Sequence, residues 1–148
     1  MDAASALKKV FIFKDVPDRV LQIVAKAAEE MPVAAGETII RPGVPPNAMF
    51  IIKSGTVRLT PDREGLAPVL IGTGETMGEV TLVDGGPVAG TATALERADL
   101  LVLRAGKLAD VLKGQPEAGY ELYRAIAKSL AGRVRRALGL VAFAQERE

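Results

Sequence analysis

Residues 78–91 of the chain read GEVTLVDGGPVAGT, in which a glycine precedes a carboxylate and a short helix-compatible run. A turn at Gly85-Gly86-Pro87 then leads into a strand-like segment that includes Thr91. Free amides at a helix start favour anions, and glycine lets the backbone approach a ligand closely. The stretch therefore predicts a pocket for a small phosphate, although Val88 stands where such a pocket would want a cation.

Glu79 narrows the chemistry of this pocket. A carboxylate repels a phosphate, but it can accept a hydrogen bond from a sugar hydroxyl. The amides of a one-turn helix after Gly78, together with this carboxylate, suggest a ribose phosphate rather than inorganic phosphate. The plainer alternative is that Gly78 ends a strand and Glu79 caps a short helix.

The flanking sequence predicts a block of short strands separated by Gly and Pro turns. We expect strands near Thr38–Arg41, Met49–Lys53, Thr56–Thr60, Pro68–Ile71, Val88–Ala94 and Asp99–Leu103. The continuous apolar runs Met49–Ile52 and Leu100–Leu103 are typical of strands covered on both faces. In the third strand, Val57 and Leu59 alternate with polar residues and should face inward. So many short strands suggest a sandwich, jelly roll or barrel.

Helical patterns precede and follow the strands. A helix containing Val20, Leu21, Val24 and Ala28 should end near Met31-Pro32, because proline disfavours helix in the residue before it. A short helix follows at Lys107–Leu112, and a long helix runs from Pro116 to about Leu138. The apolar residues of the long helix are Leu122, Ile126, Leu130, Val134 and Leu138. We predict one mainly β domain with flanking helices (α+β) over residues 1–148: helices at about 4–31, a β-roll at about 32–104 and C-terminal helices at about 105–144.

Composition excludes several classes of function. The 148 residues carry a net charge of +1 and contain no Cys and no His. Disulfides, thiol catalysis, Cys/His zinc sites and a Ser-His-Asp triad are therefore excluded. The acid pair Glu75/Glu79 lies in no nucleophile–base arrangement, so we expect no enzyme, no catalytic residue and no metal site. Without a signal-peptide pattern or a long apolar run, we expect a cytoplasmic protein that is not inserted in a membrane.

Three stretches carry a resemblance to a known family: Gly36–Gly43, Ala48–Val57 and residues 78–91. From about Leu7 to Leu138 the chain resembles the cyclic-nucleotide-binding domain. This domain is shared by catabolite-activator/FNR-like regulators, cyclic-nucleotide-dependent kinases and gated channels. The resemblance implies a double-stranded β-helix (jelly roll) with N-terminal helices and a long C-terminal helix, acting as a stand-alone regulatory or sensor domain in signal transduction.

The resemblance also implies a ligand site in residues 78–91, which we call the cassette. Its implied ligand-binding residues are Gly78, Glu79, Val80, Thr81, Pro87, Val88, Ala89, Gly90 and Thr91. Gly78 and the amides of Val80 and Thr81 would line the phosphate end, and Glu79 would accept from the ribose 2′-hydroxyl. Pro87 would shape the turn, and Thr91 would face the phosphate or base. The implied ligand is cAMP or cGMP, with no cofactor.

The chain departs from the family at one position that matters. The family's phosphate-pairing arginine aligns with Val88, and its small residue two positions later is Gly90. A hydrogen bond to a charged group contributes about 1.5–3 kcal/mol, so its loss weakens binding roughly 10- to 150-fold. Arg58 and Arg41 could substitute, although a solvated strand face explains both. The domain therefore either binds a cyclic nucleotide or related ribose phosphate weakly, or is a degenerate sensor that binds another small molecule or none.

The long C-terminal helix suggests a partner. In the family this helix forms the dimer, so we expect a homodimer here. Its basic residues are Arg124, Lys128, Arg133, Arg135 and Arg136. A solvated face explains them better than a DNA or membrane role does. Too few residues follow the helix for a helix-turn-helix, so we expect no sequence-specific DNA binding by this chain. Nothing in the sequence identifies an effector protein.

Overall fold

The computed structural model describes residues 2–139 as a β-roll with helices at both ends of the chain. The helices are α1 (Ala3–Lys8), α2 (Asp18–Ala25), α3 (Glu79–Asp84), α4 (Ala105–Leu112) and α5 (Pro116–Ala137), with a 3₁₀ turn at Phe11–Phe13. The strands are β1 (Ala28–Val33), β2 (Thr38–Ile40), β3 (Ala48–Ser54), β4 (Val57–Pro61), β5 (Val69–Ile71), β6 (Thr76–Met77), β7 (Gly90–Ala94) and β8 (Ala98–Arg104). They form two antiparallel four-stranded sheets, in the orders β1-β8-β3-β6 and β2-β7-β4-β5.

Strands β3 and β8 lie at the centre of the first sheet and are buried on both faces. Met49, Ile51, Leu101 and Leu103 pack against the helices. The alternate residues of the same strands pack in the core between the two sheets. These residues are Phe50, Ile52, Leu100 and Val102. The two continuous apolar runs therefore form strands covered on both faces, as predicted.

The start of the β-roll corrects one prediction. The first long helix does not extend to Met31-Pro32: α2 ends at Ala25, and the following segment is β1. Ala28 pairs with Leu103 and Val33 with Ala98, so pairing with β8 makes this segment a strand of the sheet. Because β1 is an edge strand, it tolerates a proline. Two smaller differences are β6, which the sequence did not reveal, and β7, which begins at Gly90 rather than Val88.

Helix α5 packs on the domain through its first half. Pro116 occupies the first turn, where its missing N–H costs nothing. Leu122 and Ile126 are fully buried, whereas Val134 and Leu138 are 56% and 68% exposed. The predicted apolar face of this helix is therefore fully buried only in its first half, and in the second half Leu130 packs partly buried against the core. The helix ends at Ala137, and residues 140–144 of its predicted extension lie outside the described residues. Among the described helices, none combines the length and apolarity needed to cross a bilayer.

Candidate functional site: the cassette and the adjoining cavity

Gly78 joins β6 to α3 in a conformation that other residues rarely adopt. Its φ is +88°, in the left-handed region that favours glycine. A Cβ at this position would lie 2.6 Å from the carbonyl oxygen of Ala48 on β3. The glycine therefore lets the cassette start directly against the sheet. Its carbonyl oxygen accepts hydrogen bonds from the amide of Leu82 at 3.0 Å and from Oγ1 of Thr81 at 2.9 Å.

Glu79 is the most unusual residue of the cassette because its carboxylate is buried. The residue is 1% exposed, and its Oε2 lies 3.1 Å from Nη1 of Arg133 on α5. The two groups are close enough for an ion pair, but within the described residues neither carboxylate oxygen accepts a well-aligned hydrogen bond. A buried carboxylate is costly unless it is paired. Arg133 therefore provides the main compensation that residues 2–139 offer to Glu79.

Arg133 is the residue of the candidate site that the sequence did not reveal. It was included in a solvated basic face of the long helix, whereas its guanidinium in fact reaches the cassette. No local pattern signals this pairing, because Glu79 and Arg133 meet only through the packing of α3 against α5. The one available signal is that a carboxylate in an otherwise apolar setting needs a cation somewhere in the fold.

The two residues that follow Glu79 have opposite environments. Thr81 is 4% exposed, and its hydroxyl donates to the carbonyl of Gly78, so it stabilises the start of α3 from inside. Val80 is 49% exposed and leaves its side chain in solvent. Within residues 2–139 no side chain caps the first turn of α3, which is compatible with amides that receive a ligand.

The turn after α3 places Val88 against the protein rather than in open solvent. Val88 is half-buried and packs on the core between the two sheets. Its carbonyl oxygen accepts from the amide of Gly43 at 3.2 Å, and that of Ala89 accepts from Asp62 at 2.9 Å. Pro87 and Ala89 are exposed. The backbone of the turn is therefore held by hydrogen bonds while position 88 contributes only an apolar contact.

Gly90 and Thr91 begin β7. A Cβ on Gly90 would lie 2.7 Å from the carbonyl oxygen of Thr60, so this glycine permits close pairing of β7 with β4. Thr91 pairs with Thr60, on the face opposite to Ala92 and the core. Its role towards a phosphate or base stays a prediction.

A cavity of about 1060 Å³ lies beside the cassette, between the N-terminal 3₁₀ turn, strands β4 to β6 and helix α5. Leu59, Ile71 and Met77 give it an apolar wall, and Gly78 borders it. Its charged lining residues are Lys9, Lys14, Asp15, Glu75, Lys128, Arg133 and Arg136. Five cations against two carboxylates make this cavity suited to an anion that carries an apolar group. Of the predicted site residues, Gly78 alone lines it within the described chain.

The two substitute cations suggested by the sequence lie elsewhere. Arg58 is exposed and pairs with Thr93, on the opposite face of β4 from the buried Val57. Arg41 is also exposed, and neither arginine lines the cavity. The cations that do line it come from α5 and from the segment around the 3₁₀ turn.

A family model described as a cyclic nucleotide-binding domain matches residues 30–115. The chain belongs to the cyclic nucleotide-binding domain family. The match covers the β-roll except the first two residues of β1, includes the whole cassette and ends just before α5. The contact between Glu79 and Arg133 therefore links the matched region to a helix outside it.

Three proteins illustrate what this domain is similar to. It is 27% identical over 84% of its length to a CRP-like cAMP-activated global transcriptional regulator of Mycobacterium tuberculosis, of which it spans 57%. It is 30% identical over 82% of its length to a cyclic nucleotide-gated potassium channel of Mesorhizobium japonicum, of which it spans 33%. The solved N-terminal domain of a transcriptional regulator from Streptomyces coelicolor matches 86% of this chain and 94% of its own, with 28% identity and a TM-score of 0.75.

Proposed function

We propose that this domain is a regulatory sensor that binds cAMP, cGMP or a related ribose phosphate weakly and signals by moving α5. One observation carries the proposal: the buried Glu79 of the cassette is paired with Arg133 of α5. Glu79 is also the group expected to accept from a ribose hydroxyl. A ligand and the helix therefore meet at one carboxylate, and occupancy changes how tightly α5 is held.

Thermodynamic linkage explains how ligand binding is coupled to the position of α5. A ligand shifts a two-state equilibrium only through its different affinity for the two states. A ribose hydroxyl that hydrogen-bonds Glu79 interacts differently with a cassette whose carboxylate is paired to Arg133 and one whose carboxylate is free. The mycobacterial relative is named as cAMP-activated, which supports a nucleotide as the first ligand to test here.

Calorimetric titration and thermal unfolding with millimolar cAMP and cGMP test the proposal. We expect saturable heat and a rise in melting temperature with one of them. Absence of both signals for both nucleotides would overturn it.

A matched pair of variants tests the cassette as the ligand site. Val88→Arg introduces a cation where the family pairs the phosphate, and should tighten binding roughly 10- to 150-fold. Val83→Arg adds the same charge at a 54% exposed position of α3 and should change binding little. Equal tightening in both variants would indicate a general charge effect instead of a phosphate contact.

A second candidate function is a protein-interaction module, a degenerate sensor that works as a homodimer. The observation in its favour is a row of exposed apolar residues on α5. Tyr120, Ala127 and Val134 repeat every seven residues, as do Ala131 and Leu138, the residue that follows α5 as its C-cap, and all five are exposed. A seven-residue apolar repeat is typical of a helix that pairs with another helix. Sedimentation that gives a monomer at about 100 µM, far above the micromolar range of moderate association, would contradict it.

A non-nucleotide ligand found by native mass spectrometry would support a degenerate sensor that binds another small molecule.

A further inference from the structure

The cations that face the cavity differ in how they are engaged. Arg133 pairs with Glu79, whereas Lys128 and Arg136 have no carboxylate within 4 Å among residues 2–139. Of the two acidic residues that line the cavity, Glu75 already accepts from the amide of Gly72 at 2.8 Å in its own turn. Lys128 and Arg136 are therefore the helix cations that are not engaged by an acid of the described chain.

A glycine positions Arg136. Lys128, Gly132 and Arg136 follow one another at four-residue spacing, so they share one face of α5, and all three line the cavity. The Nη1 atom of Arg136 lies 3.5 Å from the point that a Cβ of Gly132 would occupy. The guanidinium therefore lies back along the helix, over the glycine and towards Lys128. The absent side chain at position 132 leaves room for it beside the cavity.

We propose that Lys128 and Arg136 of α5 supply the positive charge for an anionic ligand in this cavity, in place of a cation at position 88. The proposal rests on the proposed function in that the ligand is taken to be a phosphate-bearing nucleoside. Leu59 and Ile71 offer its base an apolar wall, and the phosphate lies against α5. Val88 packs on the core as an apolar side chain and does not line the cavity, so the unaltered residue supplies no charge to the ligand.

This arrangement places ligand recognition on the helix that is expected to move. An anion held by Lys128 and Arg136 draws the second half of α5 towards the β-roll by direct attraction. The same attraction makes affinity depend on salt, because the two side chains lie at the edge of a solvent-accessible cavity. A ligand with a terminal phosphate should depend on the pair more than a cyclic phosphate does, because it carries more negative charge.

The experiment compares two double variants that lose the same charge. Lys128→Gln/Arg136→Gln removes the cavity pair, and Arg124→Gln/Arg135→Gln removes two exposed α5 arginines that do not line the cavity. Dissociation constants for cAMP, cGMP, 5′-AMP and inorganic pyrophosphate are measured by calorimetry at two salt concentrations. We expect the cavity variant to bind about 30-fold more weakly and the control to change less than about twofold. All four residues are on the surface of one helix, and circular dichroism checks that both variants fold.

Each outcome decides a claim. Equal weakening in both double variants, or none in either, overturns this inference while leaving cyclic-nucleotide binding intact. If 5′-AMP or pyrophosphate binds in a way that needs Lys128 and Arg136 but cAMP and cGMP do not bind, the inference stands and the cyclic-nucleotide proposal fails. If the unaltered protein binds no probe, both are overturned.

Discussion

The two halves of α5 are held to the domain by different forces. In the first half, Leu122 and Ile126 are fully buried against the helices and the first sheet. In the second half, Leu130 is only partly buried and the clearest contact to the β-roll is that of Arg133 with Glu79. One half is thus fixed by hydrophobic packing and the other by an ion pair at the candidate ligand site.

The energies of these contacts differ enough to assign them different roles. Burying a Leu or Ile side chain contributes about 1.5–3 kcal/mol, and several such residues act together in the first half. The Arg133 side chain is 45% exposed, so solvent screening reduces the strength of its ion pair to about 1 kcal/mol. A ligand that hydrogen-bonds Glu79 can offset an interaction of that size, but it cannot offset the packing of the first half.

The largest expected effect comes from the packed half. Leu122→Ala should lower the free energy of unfolding by about 2–5 kcal/mol, because it removes a side chain from a close-packed core. Leu138→Ala makes the same substitution at a 68% exposed site and should change stability by less than about 0.5 kcal/mol. Guanidinium denaturation of both variants measures the difference. Similar losses would mean that α5 is packed along its whole described length.

The second effect tests whether the cassette must start against β3 in order to place Glu79. Gly78→Ala should cost about 2–4 kcal/mol, from the positive φ together with a Cβ placed 2.6 Å from a carbonyl oxygen. Gly85, at the other end of α3, also has a positive φ, but a Cβ added there would have no atom within 4 Å. Gly85→Ala should therefore lower the free energy of unfolding by only about 1–2 kcal/mol. Urea denaturation of the pair isolates the contact with Ala48. Equal costs would leave backbone conformation as the only requirement at Gly78.

The third effect releases the second half of α5. Arg133→Gln leaves the buried Glu79 without its cation and should cost about 1–3 kcal/mol. Hydrogen exchange should accelerate over residues 128–137 and stay unchanged over residues 118–126, because only the second half depends on this pair. Arg135→Gln removes an exposed arginine of the same helix turn and serves as the control. Uniform acceleration along α5, or none, would contradict the division into two halves.

The sequence predicted those parts whose determinants are local. The runs at Met49–Ile52 and Leu100–Leu103 became the doubly buried strands, and residues 78–91 became a glycine-led helix, a turn and a strand. Residues 28–31 are good helix formers, and only pairing with β8 makes them a strand, since tertiary context overrides propensity. The same reason hides the role of Arg133, which depends on how α5 packs rather than on its neighbours in sequence.

A substitution on the exposed face of the second half of α5 should have the smallest effect on stability. The same substitution should have a large effect on association if a second copy covers this face. Val134 is 56% exposed, so Val134→Glu should change the unfolding free energy of the isolated chain by less than about 0.5 kcal/mol. If a second copy covers this face, the same change buries a carboxylate in an apolar helix pair and should convert a dimer to a monomer in sedimentation. Val83→Glu makes the same substitution at a 54% exposed position of α3 and should leave the oligomeric state unchanged. A dimer that persists with glutamate at position 134 would place the interface elsewhere, and the exposed half of α5 would then be free to respond to the ligand alone.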